Sequence, residues 1–438
     1  MAKVLISFIG TGNSNNGVYP NANYQFNDSK ELYTTQFIAD AISRHYKIDK
    51  LILIGTAKSM WDQVYSVFAS RKEKLYNETI HEELINSTNL ADHNSKPEIE
   101  HAKEIEEALG NGSHIEIIRY GLNDNEINEN ISKILSLEKY LCENDEIIVD
   151  ITHSFRSLPV YILNLLIYLE NVSLKKLWIS DILYGMLDVS KEFKKEDTLE
   201  YITPVVSLKG LLELNQWITG AYSFIQFGQG YQIADLVKYM DKDTSNKLQL
   251  FSNYLNLNYL RGIKNNANLL SSVKNKIEEP LASLILSPVI KEFSEKIEAY
   301  KEQRFSFFQL QVAKWQRDHQ NYFAAYTSVI ESIVSYVCEV LKLNMEEEAD
   351  CEKAKKVLGK VKKGNPLPVI QVCKKLGIAH NQFICENIEK LRKVYPKANK
   401  IRNSLAHNIQ RKESVQDMLD TLDEAINVSN SVYYLKTK

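Results

Sequence analysis

No two of the five cysteines (Cys142, Cys338, Cys351, Cys373 and Cys385) form a CxxC pair, and their number is odd. Neither a disulfide framework nor a cysteine zinc site is indicated, so reduced thiols in a cytoplasmic protein are expected. No apolar run reaches the roughly 18 residues that a membrane span needs, so no membrane partner is expected. The opening MAKVLISFIG has only a short apolar stretch before a glycine-rich turn, unlike a signal peptide. A global basic excess is missing too. The 53 Lys and Arg face 56 Asp and Glu, a net charge of −3, which argues against a chain that binds nucleic acid with its whole surface. Tandem repeats and low-complexity tracts are not visible. What remains is a chain of 438 residues, 44% apolar and 25% charged, an ordinary globular mixture. Its length suggests two or three domains.

The charge is unevenly placed. From Lys353 to Arg402 there are 14 Lys or Arg and two acidic residues, Glu386 and Glu389. Such a run is either a solvated face or an electrostatic track for a polyanion. It leads directly into RNSLAH, residues 402–407.

The two halves of the chain have different periods. In the first, VLISFIG (4–10), LILIGT (51–56), IEIIRYG (115–121) and EIIVDIT (146–152) read as buried strands. LYTTQFIADAISRHY (32–46) reads as a helix, a second helix begins near Ser59, and PVYILNLLIYLENV (159–172) reads as a largely buried one. LKKLWISDILYGM (174–186) supplies the strands after it. Buried strands alternating with helices predict an α/β domain with a Rossmann-like parallel sheet. The polar stretch from Arg71 to His101 reads as an insertion or helical excursion. TPVVS (203–207) is a plausible joint, and beyond it almost every pattern is helical. The expected division is 1–205 for the α/β domain, 206–300 for a helical linker region and 301–438 for a second, all-α domain.

Four loops should meet at the carboxyl ends of the parallel strands, where an open α/β sheet binds its ligand. GTGN supplies Gly10, Thr11, Gly12 and Asn13. It is not a complete dinucleotide fingerprint, because Asn15 holds the third glycine position and Gly55-Thr56 stands where an acidic ribose ligand belongs. Its glycines still let backbone N–H groups approach a phosphate. GTAKSMW supplies Thr56, Ser59, Met60 and Trp61, DITHSFRS supplies Asp150, Thr152, His153, Ser154, Phe155 and Arg156, and YGMLD follows the last strand. Hydroxyls, an imidazole, a guanidinium and an indole face suit ribose, phosphate and base. Taken singly, the plainer reading is the stronger one for each, Trp61 as core and His153 as a capped turn histidine; taken as a set at strand ends, they favour a nucleotide pocket.

VDITHSFRSLP resembles the DxTHG signature of CRISPR-associated proteins with a CARF domain, with Ser154 in place of the glycine. IGTGN and GTAKSMWD resemble the ligand-loop motifs of the same family, and RNSLAH resembles the R-x-x-x-x-H motif of HEPN ribonucleases. The resemblance therefore covers both ends of the chain. It implies a type III CRISPR accessory ribonuclease: a CARF domain that binds cyclic oligoadenylate, with cyclic tetra-adenylate favoured, and a C-terminal HEPN domain that cuts single-stranded RNA. It also implies a homodimer or higher homo-oligomer in which two copies of RNSLAH face one cleft.

Arg402 and His407 lie five residues apart, about 140° around a continuous helix, which would point them in different directions. A helix starting at Asn403 or Ser404 would relieve this, with Arg402 just before it and His407 in the first turns. RNA carries its own nucleophile, the 2′-hydroxyl. His407 would serve as general acid or base, Arg402 would neutralise the phosphorane, and Asn403 would orient the pair. The products would be a 2′,3′-cyclic phosphate and a 5′-hydroxyl, with no metal and no catalytic cofactor. Glu331, a polar intruder in AAYTSVIESIVSYV, either buttresses the cleft or is a plain helix-face glutamate. Two other readings stay open: a ligand-sensing regulator that cuts nothing, and a ring nuclease that degrades its own activator.

Overall fold

The computed structural model describes residues 1–12, 19–72, 75–110, 112–153, 157–194, 200–274, 280–300, 303–359, 367–409 and 412–434. The chain divides into two compact units, Met1–Asn215 and Gln216–Lys438.

The first unit is built on eight strands: β1 (Lys3–Ile9), β2 (Ala22–Phe26), β3 (Leu32–Thr35), β4 (Lys50–Gly55), β5 (His114–Ile117), β6 (Glu146–Asp150), β7 (Trp178–Gly185) and β8 (Thr203–Ser207). Their order across the sheet is β3-β2-β8-β7-β6-β1-β4-β5. From β7 to β5 every pairing is parallel. Six helices accompany them: α1 (Ile38–Tyr46), α2 (Trp61–Ala69), α3 (Glu78–Leu90), α4 (Ala102–Leu109), α5 (Asp124–Leu135) and α6 (Leu158–Asn171).

Alternation along the strands explains the layers, since successive side chains point to opposite faces. Leu5, Leu51, Leu53, Ile115 and Ile148 pack with α1, α2 and α4 on one face. Val4, Ile6, Phe8, Ile52, Ile54 and Val149 pack with α5 and α6 on the other. Both faces are covered, which is why these strands read as continuous apolar runs.

The sheet is mixed rather than wholly parallel. β8, the TPVVS stretch read as a joint, runs antiparallel to β7, and β2 runs antiparallel to β3. The stretch 32–46 is not one helix either. Tyr33 and Thr35 are buried while Thr34 is exposed, a period of two that pairs LYTT with β2 before α1 begins. LKKLWISDILYGM forms one strand, β7, and within the polar insertion α3 forms behind its cap, Asn77, whose side chain accepts the Thr79 N–H at 2.9 Å.

Helices fill the rest: α7 (Lys209–Phe227), α8 (Tyr231–Val237), α9 (Lys242–Asn256), α10 (Leu260–Asn265), α11 (Asn268–Lys274), α12 (Pro280–Ala299), α13 (Phe305–Asp318), α14 (Tyr322–Val340), α15 (Glu348–Leu358), α16 (Val369–Lys375), α17 (Gln382–Ala406) and α18 (Val415–Tyr433). Among the described residues the second unit has no strand. It has two apolar clusters. One gathers Trp217, Phe224, Phe251, Leu286 and Phe308; the other gathers Leu310, Tyr326, Val329, Ile333, Ile388, Leu391 and Leu422. α13 supplies both. α14 has the length and hydropathy of a membrane-crossing helix, contrary to the expectation that no such run exists. Its Ala325, Val329, Ile330 and Ile333 are fully buried in the second cluster, which accounts for the apolar run.

Candidate functional site

The loops after β1 and β4 are tied together by one serine. Ser59 Oγ donates to the Ile9 carbonyl at 2.6 Å and accepts the Thr56 N–H at 3.0 Å, while the Met60 N–H donates to the Gly10 carbonyl at 3.0 Å. Gly55 has no room for a side chain, since a Cβ there would meet Trp61 Cζ2 at 2.6 Å and Ser59 Oγ at 2.7 Å. Gly12 adopts a φ of +65°, a conformation that favours glycine.

The loop after β6 is organised from below by Asp150. Its buried carboxylate accepts from Ser7 Oγ at 2.6 Å, from Thr152 Oγ1 at 2.6 Å and from the Thr152 N–H at 3.0 Å. Thr152 Oγ1 in turn accepts the Gly185 N–H at 2.7 Å, linking the ends of β6 and β7. Burial pushes the Asp150 carboxyl up, against the hydrogen bonds from Ser7 and Thr152. Burial pushes the His153 imidazole down toward its neutral form, against the attraction of Asp150. His153 Nε2 is buried with no hydrogen-bond partner among the described residues.

These loops enclose a cavity of about 1020 Å³, lined by Gly10, Thr11, Gly12, Thr56, Ser59, Met60, Thr152 and His153 among others. Two sequence candidates do not line it. Asp150 lies beneath it, and Trp61 is fully buried, its Nε1–H donating to the Thr56 carbonyl at 2.8 Å. The indole therefore stacks no ligand base; it fills the space beside Gly55. Asn13, Ser154, Phe155 and Arg156 lie outside the described residues. The cavity also has lining that sequence reading missed: Tyr19, Asn21, Tyr24, Gln36, Lys191 and Tyr201. Most of these belong to the region of β2 and β8, the strands that the parallel expectation omitted. Burial and the nearby Asp62 push the Tyr19 phenol up to about 12.

Trp61→Ala should accordingly act on the fold first. Emptying a buried indole typically costs about 3–5 kcal/mol, so thermal denaturation should show a clear fall in Tm. A melting curve like that of the parent would return Trp61 to the list of ligand contacts.

Residues 4–187 match the family model of the CARF domain of the CRISPR system endoribonuclease Csx1. This chain carries a CARF domain over those residues. Residues 213–303 match the second domain of CRISPR-associated protein MJ1674. MJ1674 itself, from Methanocaldococcus jannaschii, is 32% identical over 363 residues, covering 78% of this chain and 55% of that protein. The chain thus spans about half the length of that curated relative. Among solved structures, Enterococcus italicus Csm6 bound to cyclic hexa-2′-fluoro-hexa-dAMP aligns with a TM-score of 0.41 at 13% identity, covering 98% of this chain and 93% of that one. The strand-end cavity is a cavity of the CARF domain, and its loops are the ones that carry the motif residues.

The second unit of this CARF protein holds the other candidate site, and here the structure corrects the expectation. RNSLAH closes a helix rather than opening one. α17 starts at its cap, Asn381, whose side chain accepts the Ile384 N–H at 2.8 Å, and runs to Ala406. Its buried Ile388, Leu391, Tyr395, Ala398 and Ile401 keep the helix packed through this stretch. Ser404 is inside it, donating to the Lys400 carbonyl at 2.9 Å. His407 is the C-cap; Asn408 follows with a φ of +51°, and the Ile409 N–H returns to the Ser404 carbonyl at 2.9 Å. This is a Schellman stop with asparagine in the left-handed position. A helix end presents carbonyls, so attraction for phosphate must come from side chains here and not from free N–H groups.

Arg402 and His407 diverge as the continuous helix requires. Arg402 is half-buried, with Nη2 3.7 Å from Glu331 Oε1 of α14 and donating to Asn399 Oδ1 at 3.3 Å. Arg402 Nε is buried without a hydrogen-bond partner among the described residues. Asn403 and His407 are exposed. No hydrogen bond joins Arg402 to His407 among the described residues. Glu331 is thus the polar intruder's answer: it faces the arginine. It also helps burial push the Tyr395 phenol up to about 12, while Arg402 acts in the opposite sense.

Proposed function

We propose that this protein is a cyclic-oligoadenylate-activated endoribonuclease of the HEPN type, acting on single-stranded RNA in type III CRISPR antiviral defence. The observation that carries the reading is the strand-end cavity of the CARF domain, about 1020 Å³ and lined by glycine backbone, hydroxyls, tyrosines and Lys191. That volume lies at the top of the range for small-molecule sites and suits a ligand of several nucleotides. The activator belongs there, with cyclic tetra-adenylate as the first candidate. Asn13, Ser154, Phe155 and Arg156 complete the ligand loops in this proposal. The division into residues 1–205, 206–300 and 301–438 and a cytoplasmic location belong to the same reading.

The catalytic step needs a base, an acid and a positive charge. The RNA 2′-hydroxyl gives its proton to a base and attacks the adjacent phosphorus. The bond from phosphorus to the 5′-oxygen breaks as that oxygen receives a proton. The products are a 2′,3′-cyclic phosphate and a 5′-hydroxyl, and the sequence requires no metal. His407 moves the proton, since one imidazole can both accept and give one. Arg402 balances charge on the phosphorane, oriented by Glu331 and assisted by Asn403. Because these side chains diverge on one helix, a homodimer supplies the missing geometry: two α17 ends share one cleft.

The test is incubation of the protein with labelled single-stranded RNA and a panel of cyclic oligoadenylates, with and without EDTA. Cleavage should depend on one ring size and survive EDTA. Cleavage that is indifferent to every ring would overturn the activation, and loss with EDTA restored by Mg²⁺ would overturn the mechanism. A second reading is favoured by one feature, the Nε2 of His153 at the cavity wall, which has no partner among the described residues: the pocket could also open its own activator. Linear products from the activator in the same assay, lost in His153→Ala, would establish it.

A further inference from the structure

Helix α17 divides its surface cleanly. Its packed side buries Ile388, Leu391, Val394, Ala398 and Ile401, while Lys390, Lys393, Lys397 and Lys400 are exposed. Steps of three, four and three residues keep those lysines on one stripe of a helix. Continuing by seven residues, two turns, reaches exposed His407. The stripe runs about 25 Å from Lys390 to His407 at 1.5 Å per residue.

Arginine is treated differently on the same helix. Arg392 is turned inward, donating to the Leu367 carbonyl at 2.6 Å and the Gly359 carbonyl at 3.0 Å. The basic residues of α17 ahead of RNSLAH are therefore two things, a buried structural arginine and an exposed row of lysines. Among the described residues no ion pair engages Lys390, Lys393 or Lys397; Lys390 donates only to Asn387 at 3.2 Å. Acidic groups near the row are few. Glu386 stands at its far end, held by Gln382 at 2.8 Å, and Glu389, directly before Lys390, accepts the Val369 N–H at 2.6 Å and lies 3.8 Å from Arg392. Asp417 of α18 feels Lys397, but its carboxylate is occupied by the Ser414 capping box.

We infer that this lysine stripe is the track on which single-stranded RNA lies as it enters the cleft at His407. Ammonium groups at regular intervals contact backbone phosphates without reading bases. A second copy of the chain is the less suitable occupant, because two such stripes would set lysine against lysine. The inference rests on the proposed ribonuclease reading for the identity of the strand, though not for its charge.

Binding is measured with a fluorescently labelled single-stranded RNA across a salt series, using the full His407→Ala chain so that the probe survives. Lys390→Gln, Lys393→Gln and Lys397→Gln together should weaken binding at low salt at least about tenfold. Each lost phosphate contact removes about 0.7 from the log–log salt slope, so the slope should fall by about 2. The corresponding Lys→Arg triple should keep the slope. An unchanged slope in the glutamine triple overturns the inference. So does a triple that sediments as a smaller species than its parent, which would give this face to a second copy. If the triple loses the slope but the parent with His407 intact never cuts RNA, the track stands and the ribonuclease reading falls. If the parent cuts RNA while the glutamine triple keeps both affinity and slope, the ribonuclease reading stands and the track falls.

Discussion

His407→Ala is expected to lower activator-dependent RNA cleavage by about 10²–10⁴-fold, the range a general acid or base contributes. The exposed imidazole packs against no core, and the Schellman stop is made by backbone groups, so the melting curve should stay where it was. Ligand binding in the CARF domain should stay as well. Arg402→Ala should show a loss of similar order with somewhat more effect on the fold, since it strands Glu331. That carboxylate is nearly half exposed at 46%, so the structural cost is small. Glu331→Gln separates the roles: it keeps the shape and removes the charge that orients the guanidinium. A drop in kcat with KM unchanged would mark Glu331 as a positioning residue. Full activity in His407→Ala would remove the catalytic assignment altogether.

The second large effect is on stability. Arg392→Glu should destabilise the helical unit by at least about 3–5 kcal/mol, the cost of leaving a buried charge uncompensated. The side chain is only 7% exposed, and its guanidinium supplies donors to two carbonyls, those of Gly359 and Leu367. A carboxylate in its place would face those oxygens. For a unit of this size the loss corresponds to a fall in Tm of roughly 6–20 °C. Lys393→Glu, one position along but exposed, should leave Tm nearly unmoved. Equal melting temperatures for the two variants would show that burial does not separate them.

The strands of the central sheet were legible because both of their faces are buried, so each appeared as an unbroken apolar run. The edge was not legible. β2, β3 and β8 are only four or five residues long, β8 carries a proline, and LYTT merges into the helix that follows it, so local periodicity alone could not split them. At the cavity, eight residues read from the loops after β1, β4 and β6 (Gly10, Thr11, Gly12, Thr56, Ser59, Met60, Thr152 and His153) do meet, because parallel strands deliver their ends to one side. Trp61 was misplaced, since an aromatic beside a glycine looks the same in sequence whether it meets a ligand or the glycine's own empty Cβ position. At RNSLAH the misreading was of direction. Asn403 and Ser404 are good starting caps, but the decisive signal lay at Asn408, where asparagine tolerates the left-handed stop. The apolar residues from Ile388 to Ile401 already required the helix to continue.

Helix α13 gives one side chain set, Leu310 and Ala313, to one apolar cluster and another, Phe308 with Val312 and Trp315, to the other. The helix is shared by both clusters. The helices of the second unit should therefore melt in a single cooperative transition, with amides on either side of residue 300 exchanging at the same limiting free energy. A fragment beginning after α13 would expose the apolar surfaces of α14 that α13 now covers, and should aggregate instead of folding.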